Sequence, residues 1–185
     1  MDQLHTEILA SNDSDLITAT NFLVNGRLVA FPTETVYGLG ADATNNVAVA
    51  HVFAAKGRPN FNPLIVHVTD LNAAKKIAVF NQAELQLAKA FWPGPLTLVL
   101  PLRSGHNIAP LVSAGLNSVA LRVPAHPVAR DLLRKYGGPI AAPSANISGQ
   151  ISPTTAAHVI GSLSGKVTAI IDGGPCEVGL ESTII

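Results

Sequence analysis

The chain of 185 residues carries 12 basic and 12 acidic side chains, and it is 48% hydrophobic, 13% charged and 5% aromatic. This composition is typical of a globular α/β protein with buried strands and excludes a disordered chain. The zero net charge gives weak support to an RNA-binding module, and no apolar stretch reaches the roughly 18 residues that cross a membrane. We therefore expect a cytoplasmic protein.

Helices are predicted where apolar residues recur at i, i+3, i+4 and i+7. Five stretches have such a pattern, near residues 14–25, 49–53, 85–92, 129–136 and 156–163. The sequence "PGP" at 93–95 should end the third of them. Ser152 is expected to cap the last helix, with Pro153 as its first residue, because serine and proline favour these positions.

Strands are predicted in seven short apolar or β-branched runs that alternate with the helices. These runs are residues 27–31, 63–68, 96–101, 118–124, 139–143, 167–172 and 181–185. The alternation indicates a twisted, mixed sheet in an α/β fold, and the length and lack of linkers favour a single domain over residues 1–185. The last run stops at Ile185 without a turn, which favours a chain cut before a further C-terminal segment.

The positive charge is concentrated in the middle of the chain. Residues 51–140 hold ten Lys or Arg against three acids, a balance of +7, so an anionic ligand should bind there. Solvated helix faces explain most of these charges equally well. No Cys/His cluster has zinc spacing, so no protein-held metal is expected, and the single cysteine, Cys176, should be inert.

Lys56 and Arg58 occur in "KGRPNFNP", where the helix that contains residues 49–53 should end. Cations at this position also favour the negative end of the helix dipole, and this explains one cation more easily than two. Pro59 and Pro63 stiffen the loop. A rigid loop that presents an ammonium and a planar guanidinium is better suited to polyphosphate than to helix capping.

Two further stretches hold polar residues close to strands. "PSANISG" combines Ser144 and Asn146, which by themselves are typical of an ordinary turn. Arg122 lies within the apolar run "VALRVP", where a buried guanidinium needs a carboxylate or phosphate partner that a substrate could supply. His67 in "LIVHV" is similarly placed, although a hydrogen-bonded core histidine is the better interpretation of that residue alone.

Together these stretches resemble the YrdC/Sua5/TsaC family of L-threonylcarbamoyladenylate synthases. "PTETVYGLGADA", "KGRP..NPLIVHV", "WPGPLTLVL", "VALRVPAHPVARDLL", "APSANISGQISPT" and "ESTI" occur in this order over residues 28–184. They include the paired K-x-R and S-x-N motifs of the family. The resemblance implies an α/β fold with a twisted sheet around a large, positively lined cavity.

The resemblance also implies an enzyme, a nucleotidyltransferase. Members of the family convert L-threonine, bicarbonate and ATP to threonylcarbamoyl-AMP and pyrophosphate, the first step of the t6A modification at position 37 of tRNA. The sequence leaves open whether tRNA or the later enzymes of this modification bind the chain. Two alternatives are an RNA-binding module without catalytic activity and a related adenylating enzyme that acts on carbamoyl phosphate.

Site residues follow from the motifs by resemblance. Lys56 and Arg58 would be catalytic and hold ATP phosphates, and Mg²⁺ would be held mainly by ATP. Further nucleotide contacts would come from Asn62, Ser118, Asn146 and Thr154. The threonine pocket would consist of Thr35, His67, Arg122, Ser144 and Ser182, shaped by Thr33 and Tyr37, with Arg122 on the carboxylate. Sua5-type members continue into a C-terminal domain and TsaC-type members end soon after "STI", so a chain that stops at Ile185 should lack a late nucleotide contact.

Overall fold

The computed structural model describes residues 5–185 and contains nine strands and six helices. The strands are β1 (Glu7–Ala10), β2 (Val29–Phe31), β3 (Gly38–Asp42), β4 (Ile65–His67), β5 (Leu96–Pro101), β6 (Ser118–Arg122), β7 (Ile140–Ala141), β8 (Ala169–Asp172) and β9 (Thr183–Ile184). The helices are α1 (Asp13–Val24), α2 (Asn46–Lys56), α3 (Leu71–Ile77), α4 (Gln82–Phe91), α5 (Pro127–Tyr136) and α6 (Ala156–Leu163). All five predicted helices and all seven predicted strands are present.

The strands form one mixed sheet in the order β1-β8-β2-β3-β7-β4-β6-β5-β9. β2 runs parallel to β8, and β4 runs parallel to β6, whereas β3 and β7 are antiparallel to their neighbours. The predicted α/β fold with a mixed sheet is therefore confirmed.

Two apolar clusters cover the two faces of the sheet. Successive side chains of a strand point to opposite faces, so Ala30 joins one cluster while Val29 and Phe31 join the other. The second cluster includes the buried residues of α1 and α5, and the first includes those of α2 and α6. Both layers bury the sheet, which explains why its strands are rich in apolar residues.

The predicted start of the last helix is wrong. α6 begins at Ala156, and its cap is Thr155, whose side chain accepts a hydrogen bond from the backbone N–H of His158 at 3.3 Å. The carbonyl of Pro153 instead accepts the backbone N–H of Tyr37 at 2.8 Å, so this proline lies in an extended segment beside the sheet. A tertiary contact therefore delays the helix by three residues.

β1, β3 and α3 were not predicted. β3 contains Gly38 and Gly40, and glycine weakens the strand pattern because it has no side chain to pack. A Cβ atom at Gly40 would lie 2.8 Å from the Phe31 ring and 3.0 Å from the Val29 carbonyl oxygen, so this glycine permits close packing against β2. The other two elements have four and seven residues, too few for a clear period.

The strand pairing brings distant motifs together over one part of the sheet. His67 of β4 lies beside Arg122 of β6, and an isolated bridge joins Gly38 to Ser144. β9 pairs with the start of β5, which brings the segment before Thr183 to the same region. Within residues 5–185, no helix has the length and apolar character needed to cross a membrane, and the cytoplasmic location stays a prediction.

Candidate active site

A cavity of about 220 Å³ lies where these strands and loops meet. All five residues predicted for the threonine pocket line this cavity, and Arg58 and Thr33 line it with them. The remaining lining residues are Val36, Gly38, Pro63, Ile65, Ala142, Pro143, Glu181 and Ile184. The five predicted pocket residues span 147 positions of the sequence, from Thr35 to Ser182, and their roles stay predictions.

Arg122 is held by an acidic residue of the protein itself. One of its terminal nitrogens, Nη2, lies 2.7 Å from the Oε1 atom of Glu34, and the side chains are only 4% and 8% exposed. Nη1 donates to the Thr35 hydroxyl at 2.9 Å, and Nε donates to the Gly94 carbonyl oxygen at 3.3 Å. The expectation that a substrate supplies the first partner of this guanidinium is therefore wrong. Two of its five N–H groups have no partner within residues 5–185 and can still serve a ligand.

Glu34 is a site residue that the sequence interpretation missed. Its second carboxylate oxygen accepts the backbone N–H groups of Ala125 at 2.9 Å and His126 at 3.3 Å. The side chain therefore joins the loop after β2 to the end of β6 and the start of α5. A signal was present in the sequence, because Glu34 and Arg122 are opposite charges that both lie within otherwise uncharged, mostly apolar stretches.

His67 is buried, and its Nδ1 atom has no hydrogen-bond partner in the part of the chain that the structure describes. Its ring meets Phe31 edge to face at 6.1 Å between centroids. Burial, and secondarily the charge of Arg122, lowers the pKa of His67 to about 3. The imidazole is consequently neutral at physiological pH and can offer a hydrogen-bonding nitrogen to a ligand in the cavity.

Hydroxyl groups in the cavity are connected in a definite direction. The Thr33 hydroxyl donates to the Val36 carbonyl oxygen at 2.7 Å, and it lies 2.8 Å from the Thr35 hydroxyl. Since the one proton of Thr33 is already used, Thr35 donates to Thr33 and in turn accepts from Arg122. Ser182, which also lines the cavity, has its hydroxyl 2.7 Å from that of Thr97.

Lys56 and Arg58 occupy different environments. α2 ends at Lys56, and its cap Gly57 turns the chain with a φ of +59°. Arg58 reaches the cavity and donates to the carbonyls of Asn62 at 3.4 Å and Pro63 at 3.1 Å. Lys56 is 1% exposed and is not among the residues that line the cavity. Burial, and secondarily the charge of Arg58, lowers the pKa of Lys56 to about 8.

The other predicted nucleotide residues do not line this cavity. Ser118 begins β6, four residues or about 13 Å along the strand from Arg122. Asn146 is buried and donates to the carbonyls of Ile147 and Gln150 at 2.9 and 2.8 Å. Asn62 contributes its carbonyl to Arg58, and the Thr154 hydroxyl lies 3.3 Å from the His158 ring. Their nucleotide roles stay predictions.

The environments of Tyr37 and Cys176 indicate structural roles for both side chains. The Tyr37 hydroxyl donates to the Gly174 carbonyl oxygen at 2.7 Å and accepts the Gly173 N–H, and burial raises the pKa of Tyr37 to about 12. Burial raises the pKa of Cys176 to about 11, so its thiol is a poor nucleophile.

Glu181 lines the cavity and contacts the Ser152 hydroxyl. Among residues 5–185, no group of three or more His, Cys, Asp or Glu side chains is arranged to hold a metal ion.

Sequence and structure comparisons identify relatives of the chain. The family Sua5_yciO_yrdC, described as "Telomere recombination", matches residues 21–185. Threonylcarbamoyl-AMP synthase of Bacillus subtilis is 49% identical over 181 residues, which is 97% of this chain and 52% of that protein. The protein of the same name from Pyrococcus abyssi is 52% identical over 169 residues, 90% of this chain and 49% of that protein.

A solved structure has the same fold. The crystal structure of P. abyssi Sua5 complexed with L-threonine superposes with a TM-score of 0.93 at 48% identity, covering 97% of this chain and 54% of that chain. The chain therefore spans about half the length of these relatives.

Proposed function

Because this chain belongs to the Sua5/YciO/YrdC family, we propose that it carries the catalytic site of an L-threonylcarbamoyladenylate synthase. The reaction converts L-threonine, bicarbonate and ATP to threonylcarbamoyl-AMP and pyrophosphate, the first step of t6A formation at position 37 of tRNA. The cavity that contains Arg58 and Arg122 is the observation that carries this proposal, because it offers separate cations for a phosphate chain and for an amino acid. Bicarbonate, and tRNA or later enzymes as partners, belong to the same proposal.

Threonine would occupy the side of the cavity formed by β4 and β6. The two remaining N–H groups of Arg122 suit the substrate carboxylate. The hydroxyls of Ser144 and Ser182 and the neutral imidazole of His67 can form hydrogen bonds with the polar groups of threonine. A relative whose structure contains L-threonine supports threonine as the ligand.

ATP would bind with its phosphates near Arg58. Two of the guanidinium N–H groups fix the side chain on its own loop, which leaves the others for phosphate oxygens. Asn62 belongs to the same loop, and the Asn146 carbonyl contacts Lys56 two residues before Arg58. These two residues, with Thr154, are proposed as further contacts of the nucleotide. Ser118 is retained only as a prediction from the motif.

The chemistry requires positioning and charge neutralisation rather than a covalent intermediate. The threonine amine attacks the carbon of bicarbonate, and loss of water gives an N-carboxylate. An oxygen of this carboxylate then attacks the α-phosphorus of ATP in line, and the bond to the departing pyrophosphate breaks. Arg58 would stabilise the charge that develops on the phosphate oxygens. Within residues 5–185, Glu181 is the one carboxylate among the residues that line the cavity, too few to hold a Mg²⁺ ion alone. The ATP phosphates would therefore hold the ion, and the ion would neutralise part of their charge.

The proposal is tested by pyrophosphate release from ATP and bicarbonate with and without L-threonine, together with mass spectrometry of the product. We expect release that depends on threonine and a product with the mass of threonylcarbamoyl-AMP. Release that depends on carbamoyl phosphate instead would favour the alternative adenylating enzyme. RNA binding without any pyrophosphate release would favour the binding module.

A further inference from the structure

The Lys56 ammonium lies inside the loop that contains the S-x-N motif. Its Nζ atom donates to the carbonyl oxygens of Ser144 and Asn146, each at 2.5 Å, and the residue is 1% exposed. These oxygens belong to the first and last residues of the motif. A buried carbonyl group needs a hydrogen-bond donor, and here one ammonium group donates to two carbonyl oxygens.

Backbone contacts link the same two segments. The N–H of Ser148 donates to the carbonyl of Lys56 at 2.8 Å, so the loop bonds both to the side chain and to the main chain of this residue. The N–H of Ala145 donates to Tyr37 at 2.8 Å, and that of Ile147 to the Ser162 hydroxyl at 3.0 Å. Three parts of the chain therefore hold the loop, and within residues 5–185 Lys56 is the only Lys or Arg whose side chain donates a hydrogen bond to it.

We propose that Lys56 is a positioning residue, which holds the loop of residues 144–148 so that Ser144 faces the cavity, and that its ammonium is not a phosphate ligand. The K-x-R and S-x-N motifs then form one unit, in which Lys56 supports the loop and Arg58 faces the ligand. This inference rests on the proposed function for the identity of the ligands. The lowered pKa of Lys56 is consistent with an ammonium that is buried among uncharged carbonyls.

The test compares Lys56→Met, which keeps the length of the side chain and removes its donors, with Arg58→Met as the matched control. Backbone amide exchange is measured first, without ligands, at residues 145, 147 and 148. We expect at least tenfold faster exchange in K56M and unchanged exchange in R58M. This readout does not depend on activity, so it remains informative if the wild-type protein releases no pyrophosphate.

Kinetics then separate a positioning role from phosphate binding. In the pyrophosphate assay, K56M should raise the KM for threonine about tenfold through Ser144, and it should raise the KM for ATP by a smaller factor because Asn146 lies in the same loop. R58M should raise the KM for ATP and change the KM for threonine less than twofold. Adding Ser144→Ala to K56M should cost little more, because both changes remove the same contribution of Ser144. A phosphate ligand would instead raise the KM for ATP as much as R58M does and leave amide exchange at residues 145, 147 and 148 unchanged.

Several outcomes would overturn the inference. Unchanged exchange at residues 145, 147 and 148 in K56M would show that Lys56 does not hold the loop. A KM for ATP that rises as much as in R58M would show that Lys56 is a phosphate ligand. If K56M does not fold, Lys56→Gln carries an amide NH2 group on a shorter side chain in place of the ammonium, and the same exchange and kinetic comparison applies to it. Circular dichroism establishes which variants are folded.

Discussion

Glu34 and Arg122 are 88 positions apart in the sequence, yet they form an almost fully buried ion pair with 2.7 Å between Oε1 and Nη2. Burying two charges is costly, and such a pair contributes little to stability compared with apolar residues of the same size. Removing one partner is different, because it leaves the other charge buried without compensation. The pair therefore couples the integrity of the fold to the residue that we propose for the substrate carboxylate.

Arg122→Leu should lower the free energy of unfolding by about 3 to 5 kcal/mol, because Glu34 would lose its buried counter-ion. Adding Glu34→Gln should restore part of this loss, since the neutral amide can still accept backbone N–H groups. Urea unfolding of both variants measures the difference. Equal stabilities of the single and double variants would show that Glu34 is not destabilising when left alone.

The wild-type protein should bind L-threonine at least tenfold more tightly than threonine amide, because the amide lacks the charge that Arg122 would pair with. L-serine should bind more weakly by about 1 kcal/mol, the value of one buried methyl group. Calorimetric titration of the three compounds checks both statements. If the amide binds as well as threonine, Arg122 is not the carboxylate ligand.

Arg58→Ala should weaken ATP binding by about 1.5 to 3 kcal/mol, the contribution of a hydrogen bond to a charged group. Arg134→Ala is the control, because Arg134 is exposed and pairs with Asp131 away from the cavity. Calorimetry with ATP and Mg²⁺ should show the loss in the first variant and wild-type affinity in the second. Equal affinities would remove Arg58 from the nucleotide site.

His67 should make the protein less stable in acid. Its pKa falls from 6.5 in the unfolded chain to about 3 in the folded protein, so the unfolded state binds more protons between these values. Stability attributable to His67 is therefore present above pH 6.5 and is lost as pH falls toward 3, by up to about 1.4 kcal/mol per pH unit.

The comparison is with His67→Gln, which cannot gain a charge. Urea unfolding is measured for both proteins at several values from pH 7 to pH 4. As pH falls, the wild type should lose several kcal/mol of unfolding free energy more than the variant does. All other groups titrate in both proteins and cancel. Parallel pH profiles would mean that His67 becomes charged inside the folded protein without penalty.

Much of the fold could be predicted because periodicity is a local property. The stripe of residues 129–136 and the run of residues 63–68 each specify an element without reference to the rest of the chain. β3 could not be predicted in this way, since Gly40 is there to fit against Phe31, a contact that only the paired strands create. The prediction of the α6 cap was wrong for a similar reason. Serine and threonine are both good caps, and the contact of Pro153 with Tyr37 selects Thr155 over Ser152.

The site shows the same division. The five residues assigned to the threonine pocket by motif resemblance all line one cavity, because their motifs lie at strand ends or in the loops beside them, and their roles stay predictions. It could not predict that Lys56 points away from the cavity lining while Arg58 reaches it, since this depends on where α2 ends and on the path of the loop of residues 144–148. The partner of Arg122 also depends on chain path, and no spacing rule links positions 34 and 122.

The hydrogen bonds of Thr33 and Thr35 determine which hydroxyl donates and which accepts before a substrate binds. Arg122 donates a hydrogen bond to the Thr35 hydroxyl, Thr35 donates to Thr33, and Thr33 donates to the Val36 carbonyl oxygen, so both hydroxyl hydrogens are already used. Thr35 therefore meets the cavity with a lone pair alone. A ligand atom that sits against it must bring its own hydrogen, as an amine or a hydroxyl does, and an oxyanion placed there would be repelled.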